Sequence, residues 1–185
     1  GSGIRFSVVA ENNGVADEGA DGTTTTILYT VTRSGDTSEE FIINYHVTPG
    51  GAAIVSADDF GDGTGESLPS GSATFAAGSA TAEITVTIHG DNNVGPDEQF
   101  TLVLDDLPEG SIVVGTTSGA IINDDAYISV AAQAVTEEIP GQATHSFVIS
   151  SSSDTGVEHK VHYTITSIGE QGADLGQVTT EQLEG

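Results

Sequence analysis

Apolar and polar residues alternate along most of the first two thirds of the chain. Ile84, Val86 and Ile88 fall on one face of a stretch whose other face carries Thr85 and Thr87. The same period of two returns at Ile27, Tyr29 and Val31, at Phe41, Ile43, Tyr45 and Val47, and at Phe100, Leu102 and Leu104. Side chains alternate across a strand in this way, and the Gly, Asn, Asp and Pro clusters between the runs are turn formers. The pattern predicts strand A at residues 4–10, resuming at Val15 after the Asn12-Asn13-Gly14 turn. Strands B to F follow at 24–33, 40–48, 72–75, 80–89 and 98–105, and strand G ends near Asn123. A long Gly/Ala/Asp-rich loop is expected over residues 49–71. Seven short strands with regular turn signals predict an all-β fold, a Greek-key immunoglobulin-like β-sandwich.

An internal repeat marks where that module stops. Ile42-Ile43-Asn44-Tyr45-His46-Val47 recurs as Lys160-Val161-His162-Tyr163-Thr164-Ile165, and Ser34-Gly35-Asp36-Thr37 recurs upstream as Ser152-Ser153-Asp154-Thr155. Glu18 corresponds to Glu138. A second copy therefore starts near Ala126 without a linker, and after Asp174 nothing corresponds to strands E, F and G. The expected organisation is a scar or linker at residues 1–3, a complete module at 4–125 and a partial second copy at 126–185. Half a sandwich leaves apolar faces uncovered, so the second copy is expected to be poorly ordered alone or to self-associate with another chain.

Charge narrows the partners. Among 185 residues there are 28 Asp plus Glu against 3 Lys plus Arg, a formal net charge of −25. Such a chain repels nucleic acid and anionic lipid alike, since both are polyanions. Cysteine is absent, which removes disulfides, thiolate metal sites and a Cys nucleophile. An extracellular domain without disulfides needs another staple, and bound metal is one. No apolar run is long enough for a membrane span, so direct membrane insertion is not expected of this stretch.

Strand polarity says where the acids go. In an antiparallel sandwich the A–B, C–D and E–F connections and the exit from G share one end. They carry Asp17, Glu18 and Asp21; Asp58, Asp59, Asp62 and Glu66; Asp91, Asp97 and Glu98; and Asn123, Asp124 and Asp125. The other end holds Asp36, Glu39, Asp105, Asp106 and Glu109. Carboxylates remote in sequence thus gather at one apex, where like charges repel unless a cation shares them. Ca²⁺ accepts about 6–8 oxygens at roughly 2.3–2.6 Å in irregular geometry, which loops supply well, whereas Mg²⁺ demands a tight octahedron. Zinc is disfavoured because His46, His89, His145, His159 and His162 are scattered over the chain.

Residues 4–125 resemble a Calx-beta domain, the module of the regulatory loop of sodium–calcium exchangers, of one integrin subunit and of tandem arrays in large bacterial surface proteins. The resemblance rests on Val31-Thr32-Arg33-Ser34-Gly35-Asp36, Asp59-Phe60, Gly71-Ser72-Ala73-Thr74-Phe75-Ala76-Ala77-Gly78, Asp97-Glu98-Gln99-Phe100 and Ile122-Asn123-Asp124-Asp125. It implies calcium ligands at Glu18, Asp59, Asp91, Glu98, Asn123, Asp124 and Asp125, with Asp97 as a neighbouring donor. Gly90 and Gly95 stand where calcium-rich relatives carry acids, and Asn123 replaces an Asp. One or two bound ions are therefore expected rather than a larger cluster.

Three functions follow for comparison. The first is a calcium-binding structural module of a secreted or cell-surface bacterial protein, calcium stiffening the joint to neighbouring repeats in adhesion or spacing. The second is a calcium-sensing regulatory domain. The third, catalysis, lacks a nucleophile elbow or a cleft. Calcium-dependent carbohydrate binding would want an exposed aromatic at the apex, and Phe60 is the candidate.

Overall fold

A computed structural model describes residues 3–132, 146–152 and 160–164. The chain divides into two compact units, Gly1–Asp125 and Ala126–Gly185. In the first, the strands are β1 (Arg5–Ala10), β2 (Val15–Asp17), β3 (Thr24–Arg33), β4 (Phe41–Gly50), β5 (Ser70–Phe75), β6 (Thr81–His89), β7 (Glu98–Asp105), β8 (Ile112–Gly115) and β9 (Ser118–Ile122). They form two sheets, ordered β6-β3-β1-β8 and β2-β9-β7-β4-β5. Phe6, Ile27, Tyr29, Val31, Ile43, Phe75, Ile84, Ile88, Phe100 and Leu102 fill the space between them, each almost wholly buried. The alternating positions of the sequence are these core residues, and the sandwich follows from burying them.

Nine strand segments make seven traverses of the sandwich, because the first and last strands each change sheet midway. β1 pairs antiparallel with β3, and after a 3-10 turn at Glu11–Gly14 the chain resumes as β2, parallel to β9 in the other sheet. The turn holds Asn12, Asn13 and Gly14 at φ of 46°, 56° and 79°, left-handed values that Asn and Gly accept most readily. The last traverse, expected as one strand G, is broken in the same way. β8 pairs parallel with β1, and β9 pairs antiparallel with β7. Gly115 makes the break at φ 103°, where a Cβ would lie 2.0 Å from the Val8 carbonyl oxygen. The last crossing is tied to β3 by the buried Tyr29 hydroxyl, which donates to the Ser118 carbonyl at 3.0 Å.

The loop expected to begin at Pro49 starts later, since β4 runs on to Gly50. Pro49 sits opposite Phe100 of β7. Val47 N–H donates away from β7 to the Pro69 carbonyl, so Pro49, two residues on, has its nitrogen on the side where β5 has already ended. A proline there removes no ladder hydrogen bond.

At the end opposite the acidic loops, Arg33 is buried at 6 % exposure. Its guanidinium donates to the Thr37, Glu39 and Ser79 carbonyls and lies 5.2 Å from the Phe75 ring centroid and 6.0 Å from that of Phe41. Carbonyl dipoles and aromatic faces replace the carboxylate that a buried cation usually requires.

In the second unit, β10 (Ile128–Ala132) and β11 (Phe147–Ser151) form an antiparallel pair. The expectations concerning Glu138, His145, His159 and the stretch beyond Asp174 lie outside the described residues.

Candidate metal centre

The acidic apex is built by four segments that the topology delivers to one end. Glu18 follows β2, which is parallel to β9, and its N–H donates to the Ile122 carbonyl at 2.9 Å. That pairing sets Glu18 beside the exit from β9, where Asp124 and Asp125 follow. Gly90 fastens the loop after β6 to the loop before β3: Gly22 N–H donates to its carbonyl, and its own N–H donates to the Thr23 carbonyl. Asp91 is thereby held next to Glu18. Carboxylate oxygens of Glu18, Asp91 and Asp125 lie within 4.8 Å of one another.

The charges form a continuous group around Asp91. Burial, followed by the charges of Asp91 and Asp125, pushes Glu18 up to about 7, against a hydrogen bond from the Asp91 backbone that favours the ionised form. Glu98 is likewise raised to about 7, first by burial, then by the charge of Asp59 and a side-chain hydrogen bond with it, then by Asp91. Asp125 is raised by burial and by Asp124, Asp91 and Asp21. Asp21, in the A–B loop, was not among the ligands carried over from the resemblance. Its signal was its position in the same connection as Glu18.

The eight sequence-derived site residues separate by what their oxygens already do. Asp97 accepts the Asn123 N–H at 3.1 Å, and Asn123 accepts the Gly95 N–H through Oδ1 while donating to the Asp125 carbonyl through Nδ2. These two residues tie the loop before β7 to the exit from β9. Asp59 accepts the Ser56 N–H through Oδ2 in a capping box at the start of the short 3-10 turn Ala57–Asp59. Asp91 braces its own loop by accepting from the Asn93 backbone and amide. Glu18, Glu98, Asp124 and Asp125 complete the group. Asp62, by contrast, is an exposed residue whose Oδ1 accepts the Thr64 backbone N–H and hydroxyl.

Two observations test whether a divalent ion fits. Asp124 Oδ1 is buried and has no hydrogen-bond donor among the described residues, a costly state for a carboxylate oxygen unless a cation faces it. The only Lys or Arg side chains of residues 1–125 are Arg5 and Arg33. Ser34 N–H donates to the Arg5 carbonyl and Ser34 Oγ accepts the Arg5 N–H, placing both arginines at the far end. All-oxygen donors, mixed carboxylate and carbonyl, on adaptable loops are the chemistry of calcium rather than of zinc.

Two expectations change on the structure. Gly90 is not a free choice of a weakly charged residue: a Cβ there would lie 2.4 Å from the Gly19 carbonyl oxygen and 2.5 Å from that of Ala20. The close approach of two loops excludes any acid at this position. Phe60 is no exposed platform for a sugar. It is 4 % exposed, and its ring meets Phe100 edge-on at 5.4 Å between centroids.

The chain belongs to the Calx-beta domain family, whose model matches residues 7–126. Among solved structures it is similar to the apo form of a Calx CBD1 domain, at 20 % identity over 67 % of this chain and all of that one, with a TM-score of 0.50. It also aligns with a CBD12 structure from CALX1.2, at 19 % identity, 66 % and 46 % coverage and a TM-score of 0.48. A third match is the calcium binding domain CBD12 of CALX1.1, at 20 % identity, 66 % and 45 % coverage and a TM-score of 0.46. The chain thus spans under half the length of the two CBD12 structures. At these identities the likeness is one of fold. No curated protein matches the chain.

Proposed function

We propose that residues 4–125 are a calcium-binding structural module, in which Ca²⁺ shared by the apical carboxylates stiffens the loops and the joint to the following repeat. The observation that carries this reading is the approach of Glu18, Asp91 and Asp125 oxygens to within 4.8 Å of one another, with both arginines of residues 1–125 at the other pole. Glu18, Asp59, Asp91, Glu98, Asp124 and Asp125 are the proposed ligand set. Asn123 and Asp97 are assigned a supporting role, since hydrogen bonds already engage their side chains.

The joint enters because Asp125 is both a member of the cluster and the last residue of the first unit. An ion held there restrains the backbone that leads into the next module. In a secreted or cell-surface bacterial protein, calcium is abundant enough for such a staple, and a tandem array stiffened in this way would serve adhesion or spacing. No helix among the described residues is long and apolar enough to cross a membrane. Neighbouring repeats and calcium are the proposed partners; catalysis is not part of the proposal.

A calcium-sensing role is the second reading, favoured by the same linkage of Asp125 to the unit boundary. Isothermal titration calorimetry separates the two. Extracellular modules bind at about 10⁻⁴–10⁻³ M and sensors at about 10⁻⁷–10⁻⁵ M. One or two sites in the weaker range support the structural role, and the tighter range supports sensing. The absence of binding heat at every calcium concentration would remove both.

A further inference from the structure

We propose that the open flank of β3 is a docking edge for an extended basic peptide, which joins the β6-β3-β1-β8 sheet as an additional short strand beside residues 24–28. β6 pairs with β3 from Thr24 to Thr32, whereas β1 pairs with it only from Tyr29 to Arg33. When the first traverse crosses to the other sheet it leaves residues 24–28 with a strand neighbour on one side only, among the described residues. Backbone direction along this strand is fixed by two bonds: Arg33 N–H donates to Ala80 beside β6, and Ser34 N–H donates to Arg5 of β1. Peptide groups alternate in direction along a strand. The N–H and C=O groups of Thr24, Thr26 and Leu28 therefore face the open side.

That side is a groove of about 380 Å³. Thr25, Thr26 and Ile27 form one wall, and Glu11, Val15 and Asp17 belong to the other. Val15 is 41 % exposed although apolar. Natural sheet edges are commonly guarded by lysine, proline or a bulge; here Thr24-Thr25-Thr26-Ile27-Leu28 is regular, uncharged and β-prone. An open edge of this kind recognises a partner through main-chain hydrogen bonds, with alternate side chains setting specificity. Glu11 and Asp17 set the charge of that partner, and no Lys or Arg occurs between Arg5 and Arg33 to oppose it. A strand rich in basic residues would set them beside the exposed Glu11 and Asp17 carboxylates.

The test uses the full chain and a synthetic Lys-Val alternating hexapeptide, with amide hydrogen exchange and NMR shifts as readout at near-physiological ionic strength. Binding is expected to slow exchange at Thr24, Thr26 and Leu28. Thr26→Pro removes an N–H that faces the groove and leaves the β6 ladder intact. It is expected to weaken binding by about tenfold, the equivalent of one or two hydrogen bonds. Glu11→Lys is expected to weaken binding without altering the fold. Should Thr26→Pro fail to fold, the same peptide with proline at alternate positions provides the backbone control and is expected not to bind. Binding that leaves the three amides unprotected, or that survives proline in the peptide, would be diffuse attraction to an acidic surface and would overturn the proposal. So would protection of the same amides in the protein alone, because the chain itself would then fill the groove.

Discussion

Single residues decide how much charge the apex carries and when it carries it. Glu18 and Glu98 have ordinary values of 4.5 and are both raised to about 7 by burial and by neighbouring carboxylates. In the folded, calcium-free protein they hold protons that the unfolded chain releases. Stability of that form is therefore expected to fall as pH rises from about 4.5 to 7 and to level off above, following proton linkage. Asp36 and Asp62 are lowered from 3.8 by local hydrogen bonds, so their opposing effect lies below this window. Thermal melting across the range with a chelator present checks the sign; a melting temperature that climbs between those pH values contradicts it. Glu18→Gln keeps an oxygen for the Asp91 backbone and removes a charge. It is expected to raise calcium-free stability at neutral pH while weakening calcium binding at least tenfold, read by melting and calorimetry together. At position 90 the steric limit predominates. Gly90→Ala is expected to cost about 1–3 kcal/mol, as overpacking does, whereas Gly95→Ala, whose Cβ meets only the Asn93 carbonyl at 3.9 Å, is expected to stay within about 0.5 kcal/mol. Chemical denaturation of the two variants makes the comparison.

At the scale of elements, what the sequence made legible was whatever repeats with period two. β3, β6 and β7 alternate cleanly because one face of each meets the core, and their bounds were readable to within a residue or so. β8 and β9 were read as one strand, although the polar stretch Gly115-Thr116-Thr117-Ser118-Gly119 separates Ile112-Val113-Val114 from Ala120-Ile121-Ile122. Only the close approach of Val8 to Gly115 shows why that glycine ends one strand and sends the chain to the other sheet. Pro49 misled in the other direction, as a residue that breaks central strands but not the open side of one. The convergence of the acidic loops on one end was legible through strand polarity alone. The distinction between carboxylates that face one another and the Asp97–Asn123 latch was not, because it depends on which hydrogen bonds the loop backbones need. The last sheet crossing is held to β3 by Tyr29, so Tyr29→Phe is expected to cost about 1–3 kcal/mol by leaving the Ser118 carbonyl without its buried donor. Denaturant unfolding with an unchanged m-value would locate the loss in the native state; no loss would mean that packing alone holds the last crossing against β3.

For the whole molecule, polarity of charge and polarity of strands coincide. Both arginines of the first unit sit at one pole, where Arg33 is held by carbonyls and aromatic rings, and the clustered carboxylates sit at the other. The net charge of −25 weakens the compact state through self-repulsion, most where the acids are closest. A divalent ion bound at the apex, as proposed, would relieve that repulsion and give the buried Asp124 oxygen a partner. The decisive measurement is the melting temperature at neutral pH with calcium at about 10 mM, well above the dissociation constants of about 10⁻⁴–10⁻³ M typical of extracellular modules, against the same concentration of magnesium. At about 10–100 times the dissociation constant, binding stabilises by about 1.4–2.7 kcal/mol, and a rise of roughly 5–10 °C is expected for a domain of this size. A rise with calcium that is small with magnesium and lost in Glu18→Gln agrees with a shared apical ion. An unchanged melting temperature, or an equal rise in Glu18→Gln, contradicts it.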